Sequence, residues 1–231
     1  MAVVLGGCRS VVSVDVVGEE DGSGEVTVTV ELDAEAVTAL GGADRLVLDD
    51  LVEAGWDVGE VETPEGGGLR VSGTRSFRDA EELREVLDEV GTASGGTPVF
   101  SDTDYRVGDG FGRTTYEMTT NVEVSGDPAQ FSDEALAGVL GGPPLGWTAE
   151  ELAAIGATAP DAGELVVTLE VPEGGADTTS VALTGGAPAK ESLNAEASKV
   201  EPLVWGLSAL GVVLLLAAVV IGLRSRRRAR S

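Results

Sequence analysis

Three aspartates in the stretch DTDYRVGDG, Asp102, Asp104 and Asp109, offer the oxygen atoms that a hard cation such as calcium accepts. Their spacing lacks the central glycine and closing glutamate of a helix–loop–helix calcium loop, so it favours a solvated hairpin turn. Paired carboxylates such as Glu19-Glu20, Asp49-Asp50 and Glu150-Glu151 follow from abundance alone. The chain of 231 residues has 40 Asp and Glu against 15 Lys and Arg, a net charge of −25. Acid–base catalysis needs two carboxyls in different environments, which adjacency does not supply. The chain has no His and one Cys. That removes Ser-His-Asp, Cys-His and His-metal sets, and any intramolecular disulfide. Gly66-Gly67-Gly68 and Gly141-Gly142 lack the endings of a phosphate cradle and read as turns. No catalytic, cofactor or metal residue is expected, and so acidic a chain has no electrostatic grip on nucleic acid.

One residue carries a modification chemistry. Cys8 closes Leu5-Gly6-Gly7-Cys8, a pattern similar to a bacterial lipobox, in which the thiol accepts a diacylglycerol. Lipidation at Cys8 is the expectation, with residues 1–8 as the remnant of a lipoprotein signal peptide. Only seven residues precede Cys8, shorter than a basic segment plus an apolar stretch requires. A free Cys acting as a small buried hydrophobe is the alternative.

At the other end, residues 203–223 read LVWGLSALGVVLLLAAVVIGL, with no charge. About 20 apolar residues suffice to cross a hydrocarbon core as a helix, so a transmembrane helix is expected here. Five arginines follow within residues 224–231. Such a basic flank stays cytoplasmic, which puts the tail inside and the rest of the chain outside the cell membrane, as a single-pass protein. No sortase signal precedes the span; Leu183-Thr184-Gly185 lacks the proline. Residues 1–223 then hold ten basic and 40 acidic groups, a net −30.

The elements between these attachments follow from periodicity. Val11 to Val17 and the alternating run Glu25 to Leu32 predict an antiparallel hairpin across a Gly18–Gly24 turn, with Val26, Val28, Val30 and Leu32 on its dry face. Asp33 can cap a helix whose register runs on through Asp44 to Ala54, stopped by Gly55. A short strand at Trp56-Asp57-Val58, a strand from Leu69 to Phe77, and a helix from Ala80 to Val90 capped by Asp79 come next. Val99 to Val107 and Arg113 to Val124 predict a second hairpin. A short helix to Leu140, strands at Leu165 to Val171 and Ser180 to Leu183, and a stalk or final strand over residues 185–202 complete the series.

Strands arriving in adjacent pairs favour an α+β fold. The expectation is an antiparallel sheet built from hairpins, with two or three helices on one face, followed by a single carboxyl-terminal transmembrane helix. The expected domains are residues 9–184 outside the membrane, a stalk at 185–202, the span at 203–223 and a cytoplasmic tail at 224–231.

These residues resemble the LppM-like lipoproteins of actinobacteria. The likeness lies in the Cys8 lipobox, the Glu20-Asp21-Gly22-Ser23-Gly24 turn, Glu53-Ala54-Gly55-Trp56 leading to Gly67-Gly68-Leu69-Arg70-Val71, and the terminal span with its Arg tail. The resemblance covers nearly the whole chain, implies that Cys8 is lipidated, and suggests an envelope lipid as ligand. Without a catalytic set, the expected function is non-enzymatic: an envelope lipoprotein whose outer domain binds an apolar or amphipathic ligand. The alternative is a protein-interaction or scaffold module at the envelope, with the protein partner unknown. An apolar pocket or loop tip, at Gly108–Gly112 or Gly141–Trp147, is the expected binding surface. The membrane is the expected partner in either case.

Overall fold

Alternation of apolar and polar residues writes most of this molecule as strands. The structure, a computed structural model, describes residues 10–40, 48–91, 98–110, 112–124, 163–183 and 188–200. Within them β1 (Ser10–Gly18) and β2 (Gly24–Leu32) form the expected hairpin, paired from Ser10↔Leu32 to Gly18↔Gly24. Val14, Val16, Val26 and Leu32 are buried, while Ser13, Asp15, Thr27 and Thr29 face the other way. Asp33 accepts a hydrogen bond from the Ala36 amide at 2.7 Å and so caps α1 (Ala34–Leu40). A second short helix, α2 (Asp49–Glu53), ends at Gly55, whose φ of +90° is a left-handed stop. The sheet continues with β3 (Asp57–Val58) and β4 (Leu69–Phe77). Asp79 Oδ1 accepts from the amides of Glu81 and Glu82 and caps α3 (Ala80–Gly91), which buries Leu83, Val86 and Leu87.

The second half departs from the expectation. β5 (Phe100–Gly110) and β6 (Arg113–Val124) form the predicted hairpin. β7 (Gly163–Val171) joins the first sheet parallel to β1, with β8 (Gly175–Ala182) antiparallel outside it. The larger sheet is therefore mixed and six-stranded, ordered β3-β4-β2-β1-β7-β8. β6 pairs on its other side with β9 (Ala189–Val200), so this part of residues 185–202 is a strand and the folded region extends past 184. These strands make a separate three-stranded antiparallel sheet, ordered β5-β6-β9.

The expected α+β class is overturned. The described residues form nine strands and only three α-helices, and a second sheet with α3 covers the inner face of the larger one. The physical reason is that period-2 alternation states which side of a strand is dry, not which strand lies beside it. Among the described residues no helix is long and apolar enough to cross a membrane. The expected span at residues 203–223, the tail, Cys8 and the expected helix at Ser132–Leu140 all lie outside the described residues.

One buried cluster joins the sheets. Val14, Val16, Val26 and Phe77 of the larger sheet meet Tyr105, Tyr116, Met118, Val122 and Leu193 of the smaller. Phe77 and Tyr105 contact edge to face, with ring centroids 6.4 Å apart. Gly18 makes this approach possible, because a Cβ there would stand 2.6 Å from the Tyr105 ring. The Tyr105 hydroxyl donates to the Glu19 carbonyl at 2.5 Å. Burial pushes the Tyr105 phenol up to about 12.

Candidate functional site

The chain breaks its own alternation on β5. Phe100, Thr103 and Tyr105 are buried, so one interval is three residues where a regular strand has two. The pairing shows why: Ser101 faces Asn121 and Asp104 faces Thr119, leaving Asp102 and Thr103 opposite Thr120 alone. This is a β-bulge. Thr103 and Thr120 turn inward and share a buried hydroxyl–hydroxyl hydrogen bond of 2.8 Å. Asp102 turns outward with φ +52°, a left-handed conformation that Asp tolerates better than most residues but rarely adopts inside a strand.

The bulge opens a groove of about 320 Å³ on the outer side of the smaller sheet, flanked by α3. Its lining is Arg84, Asp102, Thr103, Asp104, Arg106, Glu117 and Thr119. Two guanidiniums hold Asp104. Arg106 Nη2 is 2.6 Å from Oδ2, and Arg84 Nη2 is 3.4 Å from Oδ1. Arg84 is oriented from α3 by its Nε, which donates to the Thr103 carbonyl at 2.8 Å. Asp102 Oδ2 accepts from Asn121 Nδ2 at 2.9 Å, and Asn121 Oδ1 in turn accepts from the Ser192 hydroxyl at 2.6 Å. One connected polar surface therefore runs across all three strands. It offers donors and acceptors of both signs, three carboxylates and two guanidiniums, arranged for recognition by hydrogen bonds and ion pairs.

A second concavity, of about 420 Å³, lies on the outer face of the larger sheet. Ser13, Asp15, Thr27, Thr29 and Ser72 line it, and Arg70 is bonded there to Glu31 through Nε at 2.8 Å and Nη2 at 2.5 Å. Neither concavity is apolar. The third polar feature is a corner. Lys199 Nζ, near the end of β9, is bonded to the Glu20 carboxylate in the β1–β2 turn and stands 3.6 Å from Glu173, just after β7. The hydrogen bond to Glu20 raises the Lys199 ammonium above its ordinary value. Beside it, Asp21 accepts from the Ser23 hydroxyl and amide, and those bonds lower its carboxyl.

Of the three aspartates read as oxygen donors, Asp102 and Asp104 share the groove. Asp109 does not join them; it stands near the hairpin end of β5, where it accepts from the Thr114 hydroxyl at 3.2 Å. Among the described residues no cluster of His, Cys, Asp or Glu could hold a metal ion. Trp56, Phe77, Phe100, Tyr105 and Tyr116 are buried in the core. Phe111, Phe131 and Trp147, and with them the expected tip at Gly141–Trp147, lie outside the described residues. Sequence reasoning missed Arg84, Arg106, Glu117 and Thr119. The odd spacing of Phe100 and Tyr105, five positions where alternation on one face requires an even number, was the signal that could have found the bulge.

No family model matches the chain, and no curated protein matches it. Among solved structures it is similar to the NMR structure of the folded domain of Mycobacterium tuberculosis LppM. The two are 9% identical, the alignment covers 87% of this chain and 97% of that one, and the TM-score is 0.37. That protein falls in the family the sequence resembles. So loose a superposition carries no argument about the groove or its ligand.

Proposed function

We propose that this chain is a non-enzymatic, membrane-anchored domain of the cell envelope that recruits a protein partner through the groove at the β5 bulge. Anchoring rests on the uncharged residues 203–223 and the five arginines after them, which orient the domain to the outer side. The observation that carries recruitment is the groove itself. A strand is interrupted, an aspartate is set in a left-handed conformation, and the result aims charges of both signs into one accessible volume. Backbone held in sparsely populated regions concentrates at functional sites.

An apolar ligand has less support, because both concavities are lined by hydroxyls and charges. A partner segment carrying polar side chains of both signs fits such a lining better than an acyl chain does. The test is a photo-crosslinking residue at Thr119 in the full chain, expressed in cells. A discrete protein adduct that disappears with Arg106→Glu supports the reading. Lipid adducts alone, insensitive to Arg106→Glu, overturn it.

A further inference from the structure

The groove is one surface of the domain; the corner around Lys199 is another, and the course of the chain says what lies against it. β9 ends at Val200, and the uncharged run begins at residue 203. Only Glu201 and Pro202 intervene. An extended chain covers at most about 3.3–3.6 Å per residue, so Val200 stands within about 11 Å of the point where the chain enters the bilayer. This step rests on the proposed anchoring.

β9 is not free to swing away from the domain. It pairs with β6 along its whole length, from Ala189↔Val124 to Val200↔Arg113. Lys199 then ties its end to Glu20 and Glu173, across to the other sheet. β1 and β7 lie side by side and parallel, and both run towards this corner. Their starts, Ser10 and Gly163, stand at the opposite end together with Ala182 of β8.

We infer that the domain meets the bilayer end-on, through the corner where the β1–β2 turn, Glu173 and the closed end of the β5–β6 hairpin surround Lys199. The occupant of this surface is the lipid headgroup layer. The Ser10–Ala182 end is held further out by the length of the strands, about 27 Å for nine residues. Charge does not choose this end, since the corner itself carries Glu19, Glu20, Asp21, Asp109 and Glu173 against Lys199 and Arg113. The short tether chooses it.

The test uses the full chain with Cys8→Ser, reconstituted in phosphatidylcholine vesicles doped with a paramagnetic nickel-chelating headgroup. A fluorophore is attached at Asp109→Cys, near the hairpin end, or at Ala182→Cys, at the far end; both positions are exposed. Val200→Cys, also exposed, supplies a second near-end position. Flotation is measured first. The expected result is that all variants float with the vesicles and that Asp109→Cys and Val200→Cys are quenched at least about threefold more than Ala182→Cys, given ~27 Å of strand between the ends. Equal or reversed quenching in protein that floats overturns the end-on posture and leaves anchoring intact. Protein that does not float overturns the anchoring on which the posture depends.

Discussion

Two stretches of β5, only a few residues apart, are built to opposite ends. At Tyr105 the strand belongs to the interior. Its ring closes on Phe77, fits against Gly18 and hands its hydroxyl to the Glu19 carbonyl. At Asp102 the strand belongs to the surface, with a left-handed backbone and a side chain bonded to Asn121 in the open. The first stretch joins the two sheets in one buried cluster. The second gives up regular pairing and turns charged side chains outward. Core and groove thus share a strand, one part buried and the other exposed, with the buried Thr103–Thr120 hydrogen bond as the boundary between them.

That division can be broken most severely from the core side. Tyr116 is almost fully buried, so Tyr116→Ala is expected to destabilise the domain by about 3–5 kcal/mol, the usual range for an aromatic deletion in a core. Chemical denaturation followed by tryptophan fluorescence, with Trp56 as the buried reporter, measures it. A loss near zero would mean that the two sheets do not share one core. Gly18→Ala probes the same junction by addition and is read in the same way. The new methyl meets the Tyr105 ring and the end of Met118, and overpacking of this kind costs about 1–3 kcal/mol.

At the boundary, Thr103→Val leaves the Thr120 hydroxyl buried without its partner. The expected loss is about 1–3 kcal/mol, and Thr103→Val with Thr120→Val together should restore much of it, since removing both hydroxyls leaves nothing unsatisfied. A double mutant as unstable as the single would show that the hydroxyl pair is not what the bulge turns inward.

Alkaline titration probes the buried stretch. The Tyr105 phenol titrates near 12 in the folded chain, against an ordinary value of 10. Unfolded chains lose that proton first, so the contribution is fully present below about pH 10 and is lost as pH rises towards 12. Tyr105→Phe should flatten the fall in the midpoint of unfolding over that interval. An unchanged slope would locate the alkaline sensitivity elsewhere.

The smallest effect on stability belongs to the groove. Asp102→Gly relieves the left-handed backbone and forfeits one exposed hydrogen bond, so the net change is expected within about 0.5 kcal/mol. The crosslinked adduct should nevertheless weaken, because a carboxylate leaves the lining. A strongly destabilised Asp102→Gly protein would place Asp102 with the core and erase the contrast between the two stretches.

Much of the local structure was legible from residue order alone. Alternation located the strands from Ser10 to Leu32 and from Leu69 to Phe77, and for Glu25 to Leu32 it named the inward side, on which Val26 and Leu32 are buried and Val28 and Val30 half-buried, because a pleated strand turns every second side chain to the same side. Asp33 and Asp79 marked their helix starts through the geometry of a carboxylate over the first free amides. Composition alone removed His-dependent chemistry, and the uncharged residues 203–223 with their Arg flank set the expected orientation. Tertiary structure decided the rest. That β7 lies parallel to β1, and that residues 189–200 are the strand closing a second sheet where the sequence left a stalk or a final strand open, depends on pairing between segments far apart in sequence. Backbone hydrogen bonds carry no residue label, so pairing partners are chosen by the whole core and not by local pattern. The groove and the Lys199 corner followed from those choices, since each gathers side chains that only the assembled sheets bring within reach.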